Sequence, residues 1–315
     1  MSTFLFDKLI LDCNNIFHRY FHTTEKSKTL YKDAVRRTFE GIVKLEKTYS
    51  KSETIVYCMF DNSTSKSNLR SEISEDYKKE RKKYPPEFYD AIETLKAMLL
   101  SYNDNYRVVY TSYLEADDLV LPLVESFKKS CSILMVSEDL DWARLIDYDG
   151  RDIKWLRKGQ IVGSFNFEIE YGFKADLNTI IMYKAITGDV SDGIKPSIPN
   201  LKKEHARKLA SDFADAYDLV QNYEKAEYLT NTFRMKIKEN ADEIIRNHKL
   251  VSFIALPDIK DNINEYVYVS RFKERSLKVY YQMLGIDFAS DKRIKVQEKK
   301  TSLFQQDKMP RKRHR

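Results

Sequence analysis

Nine carboxylates of this chain have the types and spacing to hold divalent cations: Asp12, Asp61, Glu115, Asp117, Asp118, Asp139, Asp141, Asp189 and Asp192. They fall in five segments. Four of these follow short apolar runs: Leu9-Ile10-Leu11 before Asp12, Thr54 to Phe60 before Asp61, Tyr106 to Tyr110 ahead of Glu115-Ala116-Asp117-Asp118, and Ser132 to Val136 ahead of Ser137-Glu138-Asp139-Leu140-Asp141. The fifth is Gly188-Asp-Val-Ser-Asp-Gly193. A single Asp after a strand is usually a turn or cap residue. Five segments converging at one rim would repel one another unless cations neutralised them. The donors are hard oxygens, and the five histidines are scattered without zinc spacing, so Mg²⁺ or Mn²⁺ is expected. Two such ions can supply a nucleophile near neutral pH and hold the attacking and leaving oxygens of a phosphodiester in line.

The elements that would position these acids follow from the pattern around them. The apolar runs have the β-rich composition of buried parallel strands. Asp33 to Tyr49 and Ala116 to Lys128 carry apolar residues at helical spacing, so strands and helices alternate. That alternation predicts an α/β fold with a doubly wound, mostly parallel sheet, in which ligands bind at the carboxyl ends of the strands. Ile153 to Leu156 and Gln160 to Gly163 predict a small hairpin. After Asn178 the pattern is helical to about Met283, with irregular segments around Ile194 to Leu201 and Leu256 to Asp261. The expected organisation is a core over 1–185, a helical part over 186–289 and a basic, disordered tail over 290–315. No internal repeat is present.

Composition narrows the class further. The chain has 315 residues, 32% of them charged, and a net charge of +6. Eight glycines in this length exclude collagen-like and Gly-rich disordered chains. Three cysteines, each in or beside an apolar run, suit free thiols in a reducing compartment better than a disulfide framework. With no signal peptide and no span of about 18 apolar residues, a cytoplasmic protein without a membrane anchor is expected. From Lys292 to Arg315 there are ten basic residues and two acidic ones. The tail therefore carries +8 beside a body of −2, which suits an arm that meets a polyanion.

At these residues the chain resembles the flap endonuclease/5′-nuclease family, which includes the 5′-nuclease domain of DNA polymerase I and phage 5′-3′ exonucleases and ribonucleases H. The matching segments are Leu11-Asp12-Cys13-Asn14-Asn15, Phe60-Asp61, Leu114-Glu-Ala-Asp-Asp118, Ser137-Glu-Asp-Leu-Asp141 and Gly188-Asp-Val-Ser-Asp192, in the family's order and approximate spacing. The resemblance spans about residues 8 to 255 and implies a PIN-like nuclease core, a helical arch at about 62–90 and a C-terminal helix-hairpin-helix-like part. It implies that Asp12, Asp61, Glu115, Asp117 and Asp118 lie nearer a first metal ion, and Asp139, Asp141, Asp189 and Asp192 nearer a second. Arg70 and Asp76-Tyr77-Lys78-Lys79-Glu80-Arg81 are similar to the family's Arg and Tyr-Lys-x-x-Arg signature at the arch base. By that resemblance Lys78 stabilises the scissile phosphate while Arg70 and Arg81 grip neighbouring phosphates. Lys79, Lys82 and Lys83 extend the basic stretch, and Tyr77, Tyr84 and Phe88 offer faces for exposed bases.

The family's Gly-hydrophobic-Gly hairpin, often with bound potassium, is not matched after Asp192: the stretch Ile194 to His205 lacks those glycines. Asn200 can supply one residue of positive φ there, and Lys202, Lys203 and Arg207 can replace backbone contacts to duplex DNA by charge. In the tail, Ser302-Leu303-Phe304 is similar to the end of peptides that dock on sliding clamps. Together these imply a monomeric, structure-specific, Mg²⁺-dependent 5′-3′ exonuclease/flap endonuclease acting on 5′ flaps or RNA primers on duplex DNA in a bacterial or phage-infected cytosol. The alternatives are a PIN-type ribonuclease, which lacks the arch and the long helical half, and a noncatalytic DNA-binding replication factor. A nucleotide-binding Rossmann protein is disfavoured, because no Gly-rich loop follows the first strand.

Overall fold

The computed structural model describes residues 4–61, 69–80, 82–254 and 257–288. Arg81, Ser302, Leu303, Phe304 and the whole 290–315 tail lie outside the described residues. In chain order, β1 (Phe6–Asp12) leads directly into α1 (Cys13–Thr24), followed by α2 (Leu30–Tyr49) and β2 (Ser50–Met59). Next come α3 (Leu69–Ile73), α4 (Pro86–Tyr102), β3 (Tyr106–Val109), α5 (Ala116–Ser126) and β4 (Ile133–Val136). A 3-10 turn over Leu140–Leu145 precedes the hairpin β5 (Ile153–Arg157) and β6 (Gln160–Val162), then α6 (Ser164–Tyr171). The helical run contains α7 (Leu177–Thr187), α8 (Lys203–Asp212), α9 (Ala216–Asn222), α10 (Asn231–Glu239), α11 (Ala241–Val251) and α12 (Pro257–Asn262). The last described elements are β7 (Val267–Val269) and α13 (Glu274–Leu284).

The seven strands form one sheet in the order β6-β5-β4-β1-β2-β3-β7. β5, β4, β1, β2 and β3 run parallel, and the two edge strands are antiparallel. Successive side chains of a strand point to opposite faces, and the two cores follow that period. Leu9 and Leu11, Val56 and Cys58, and Leu134 and Val136 pack with α1, α2, α4 and α13 on one face. Ile10, Tyr57, Met59, Ile133 and Met135 pack with α5, the 3-10 turn and the first turns of α7 on the other. The predicted α/β class with a doubly wound, mostly parallel sheet is what forms. A smaller core, including Met182, Leu209, Leu219, Ile237 and Ile244, holds α7 to α11 together.

Two departures matter for the site. The sequence pattern assigns everything after Asn178 to a helical part, but Val267 to Val269 add a strand beside β3, with Arg107 opposite Val269. Three residues give too little alternation to be recognised as a strand. Then α13 returns to the first face, burying Leu277, Tyr281 and Leu284 against α2 and α4. The end of the helical region is thus part of the sheet layer. Secondly, α1 begins at the residue after β1, because Asp12 ends the strand and caps the helix by accepting from the Asn15 amide at 2.9 Å. Among the described residues no helix is long and apolar enough to cross a membrane.

Phe39 of α2 sits where these layers meet, edge-on to Tyr102 at 4.8 Å and to Tyr281 at 6.0 Å. Phe39→Ala should cost about 3–4 kcal/mol through lost burial and the cavity left behind. Urea denaturation followed by circular dichroism measures it, and a loss below about 1 kcal/mol would show that α13 does not close over this core.

Candidate metal centre and its cations

A parallel sheet delivers its strand ends to one rim, and the acids are found there. Asp12 ends β1, Asp61 follows β2, Glu115 to Asp118 open α5 after β3, and Asp139 and Asp141 follow β4. Asp117, Asp139 and Asp141 each bring a carboxylate oxygen within 4.8 Å of the others. Each acid is aimed by a specific donor. Asp12 accepts from Ser137 Oγ at 2.7 Å, Asp61 from the Ala116 amide at 2.8 Å, and Asp117 from Trp142 Nε1 at 2.6 Å. Asp139 caps the 3-10 turn by accepting from the Asp141 amide at 2.9 Å.

The fifth segment is folded onto the same rim by its backbone. Asp189 and Ile194 exchange two amide hydrogen bonds of 2.8 Å, and the turn closes so tightly that a Cβ on Gly188 would meet Ile194 O at 2.5 Å. Glycine is required there, at φ 74°. The Lys78 amide donates to Asp192 O at 3.0 Å, tying this turn to the Tyr77-Lys78 segment. Lys78 Nζ is 2.5 Å from Glu115 and 3.8 Å from Asp192, and Tyr77 Oη lies 3.2 Å from an oxygen of each, its one proton shared between them.

Two buried cations in this centre escape the sequence reading. Lys184 of α7 donates to Asp141 at 2.5 Å and lies 2.6 Å from Asp189. Arg144, 1% exposed, lies 3.9 Å from Asp141 and donates to Val251 O at 2.8 Å. The signal for Lys184 was present: a lysine inside the apolar run Ile180-Ile181-Met182-Tyr183-Lys184-Ala185-Ile186, where an ammonium needs an acidic partner. Nothing in the pattern marked Arg144, which occupies one position of a short 3-10 turn.

The electrostatics divide the acids. Burial pushes the Asp12 carboxyl up to about 7, with the Asp61 and Asp139 charges adding to the effect. Burial likewise raises Asp117 strongly, helped by Asp139, Asp12, Asp141 and Asp61, and raises Asp139, helped by Asp141. For Asp141 burial acts upward too, but Arg144 and Lys184 outweigh it and hold the carboxyl below its usual range. Asp189 is lowered in the same way, against its burial, by Lys184. For Asp12, Asp117 and Asp139 burial and neighbouring carboxylates outweigh the nearby positive charge, including that of Lys184 on Asp139. Their all-oxygen donor set suits a hard divalent ion.

Other candidate residues fall into three groups. Arg70 and Asp118 are buried against each other, with contacts of 2.6 and 2.7 Å, and Arg70 also reaches Glu115 at 3.3 Å. Tyr77 and Phe88, expected to offer faces to bases, are instead packed, Tyr77 against Ile181 and Leu250 and Phe88 against Phe17 and Phe21. Tyr84 keeps one partly exposed ring, stacked 4.0 Å from Phe88 with Lys82 5.4 Å from its centroid. Lys79, Lys82, Lys83, Lys202 and Lys203 are exposed, and Arg207 is half-buried beside Gly172. Asn200 takes φ 65° in the segment that lacks the hairpin glycines, as its residue type allows.

An acid-lined rim on a doubly wound, mostly parallel sheet, with lysine and arginine paired to its acids, suits metal-assisted phosphodiester chemistry. Residues 7–172 match the model of the 5′-3′ exonuclease N-terminal, resolvase-like domain, and the chain belongs to that family of 5′-3′ exonucleases. A 5′-3′ exonuclease of Mycoplasmopsis pulmonis is 24% identical over 269 residues, covering 82% of this chain and 87% of the relative. Flap endonuclease Xni of Photobacterium profundum is 24% identical over 245 residues, covering 78% and 90%. Among solved structures, the T5 D15 protein co-crystallised with metal ions superposes with a TM-score of 0.61 at 19% identity, covering 88% of this chain and 97% of its own.

Two outcomes follow from the charges. An acid whose pKa is higher folded than unfolded contributes destabilisation that grows as pH rises from about 4 to about 7. Metal-free protein should therefore lose melting temperature over that window. Asp12→Asn should flatten the slope by at least about 3 °C; an unchanged slope would show that Asp12 does not titrate there. Lys184→Met strands Asp141 and Asp189 and should cost the metal-free protein about 3–5 kcal/mol. Calorimetry with and without Mn²⁺ checks this, with the ion expected to restore part of the loss.

Proposed function

We propose that this chain is a structure-specific, Mg²⁺-dependent 5′-3′ nuclease that removes 5′ flaps or RNA primers from duplex DNA and leaves 5′-phosphate ends. The observation that supports the reading is the pairing of Lys78 with Glu115, next to Asp192, at the strand-end rim where Asp117, Asp139 and Asp141 also converge. Asp12, Asp61, Glu115, Asp117, Asp139, Asp141, Asp189 and Asp192 would hold two divalent ions. Such ions, when bound, supply a nucleophile at neutral pH and offset charge on the transferring phosphoryl group.

The chain's own groups do the rest. Lys78 Nζ is a donor preorganised by Glu115 and able to turn to a phosphate oxygen at the rim, stabilising the charge that grows as the bond to phosphorus breaks. Lys79, Lys82, Lys83 and Arg81 supply further positive charge to the single strand, and the Tyr84 face with Lys82 suits a stacked base. Lys202, Lys203 and Arg207 suit the duplex backbone through charge. The Ser302-Leu303-Phe304 segment remains a proposed dock for a sliding clamp.

Purified protein with Mg²⁺ should cut a labelled 5′-flap duplex and an RNA-primed duplex and leave single-stranded RNA intact. Asp141→Asn should slow flap cleavage by roughly 10³-fold and Lys78→Ala by about 10²-fold, with native circular dichroism. Undiminished cleavage by Asp141→Asn would sink the site assignment, and preferential digestion of single-stranded RNA would favour a PIN-type ribonuclease instead.

A further inference from the structure

The C-terminal end of α11 is held by two buried arginines, and each of them also reaches an acid of the rim. Arg70, 3% exposed, uses all five N–H groups. Nε donates to Leu250 O at 2.8 Å, Nη1 to Asp118 at 2.7 Å and Glu115 at 3.3 Å, and Nη2 to Asp118 at 2.6 Å and Ser252 O at 3.0 Å. Arg144 donates to Val251 O, the carbonyl between those two acceptors, and lies 3.9 Å from Asp141. Its guanidinium stacks 3.6 Å from the Phe253 ring centroid. Carbonyls in the last turn of a helix lack intrahelical partners and carry the negative end of its dipole, so cations are well placed there.

Asp118 commits three of its roughly four lone-pair sites to the same arrangement. Both of its oxygens accept from Arg70, and Oδ1 also accepts from the Ile254 amide at 3.0 Å. It is 1% exposed. Ligating an ion with this carboxylate would compete with the forked pair and weaken the nearer of the two acids that balance a buried guanidinium, Glu115 lying farther off at 3.3 Å. Its neighbour Asp117, by contrast, points into the cluster with Asp139 and Asp141.

We propose that Arg70 and Arg144 are positioning residues that fasten the end of α11 to Glu115 and Asp141 respectively, and that Asp118 is the counter-ion of Arg70 rather than a metal ligand. The inference rests on the nuclease reading for its kinetic consequence, and on geometry alone for the role of Asp118. The two struts set where the carboxylates of Glu115 and Asp141 stand relative to each other.

Mn²⁺ binding to the full chain, measured by titration calorimetry without nucleic acid, separates the acids. Asp117→Asn should weaken Mn²⁺ at least tenfold and Asp118→Asn less than twofold. Arg144→Gln removes a positive charge beside Asp141, so it should bind Mn²⁺ no more weakly than the unaltered protein. It should nevertheless cut the 5′-flap substrate with kcat at least tenfold lower and KM within twofold. Arg144→Lys, which keeps the charge but loses the reach to Val251 O, should be equally slow. Arg70→Gln should behave as Arg144→Gln does, and if it fails to melt cooperatively, Arg70→Lys takes its place. The proposal is overturned if Asp118→Asn melts normally and loses Mn²⁺ as severely as Asp117→Asn, or if folded Arg70 and Arg144 variants keep kcat within twofold. Should the unaltered protein cut nothing, the nuclease reading fails, while the Mn²⁺ comparison still decides the role of Asp118.

Discussion

The constraint on which this structure depends is the mutual repulsion of carboxylates delivered to one rim by a parallel sheet. Strand β1 ends on Asp12, β2 and β4 end shortly before Asp61 and Asp139, and β3 leads towards Glu115. Burial makes the repulsion worse by removing the water that would screen it. The chain answers with cations from four other places: Lys78 in the turn after α3, Arg70 in α3, Arg144 in the 3-10 turn and Lys184 in α7.

Those cations are not spread evenly. Asp141 and Asp189 share Lys184, Asp118 has Arg70, and Glu115 has Lys78 and Arg70, whereas the raised carboxyls of Asp12, Asp117 and Asp139 mark where the balance is left negative. A rim neutralised completely by its own side chains would have no use for a divalent ion. One left wholly uncompensated would be expensive to fold. The arrangement lies between these limits, with fixed positive charge at the edges and a deficit in the middle.

Most of this was legible in the sequence, for reasons that differ from residue to residue. Asp12, Asp61 and the Asp139/Asp141 pair could be placed because an apolar run of strand length fixes where a strand ends, and a parallel sheet fixes which rim that end occupies. Asn200 could be read because few residues other than glycine adopt positive φ readily. Arg70 and Asp118 were each recognisable as motif residues with separate roles, but their pairing across 48 positions depends on how the fold brings α3 to the start of α5, which no local pattern encodes. Tyr77 and Phe88 looked like accessible faces because spacing does not report which side of a segment is covered. Strand β7 escaped because its pairing partner, not its own three residues, makes it a strand.

The return of the chain to the sheet through β7 and α13 changes what kind of object the helical region is. A region joined by one linker can swing like a flag on a pole. This one leaves the core beside the 3-10 turn through α7 and comes back to it through α12, β7 and α13, so it is an inserted loop of helices with both feet on the same foundation. Two attachments constrain its orientation on the core more than one would, because a rotation about either foot must also move the other.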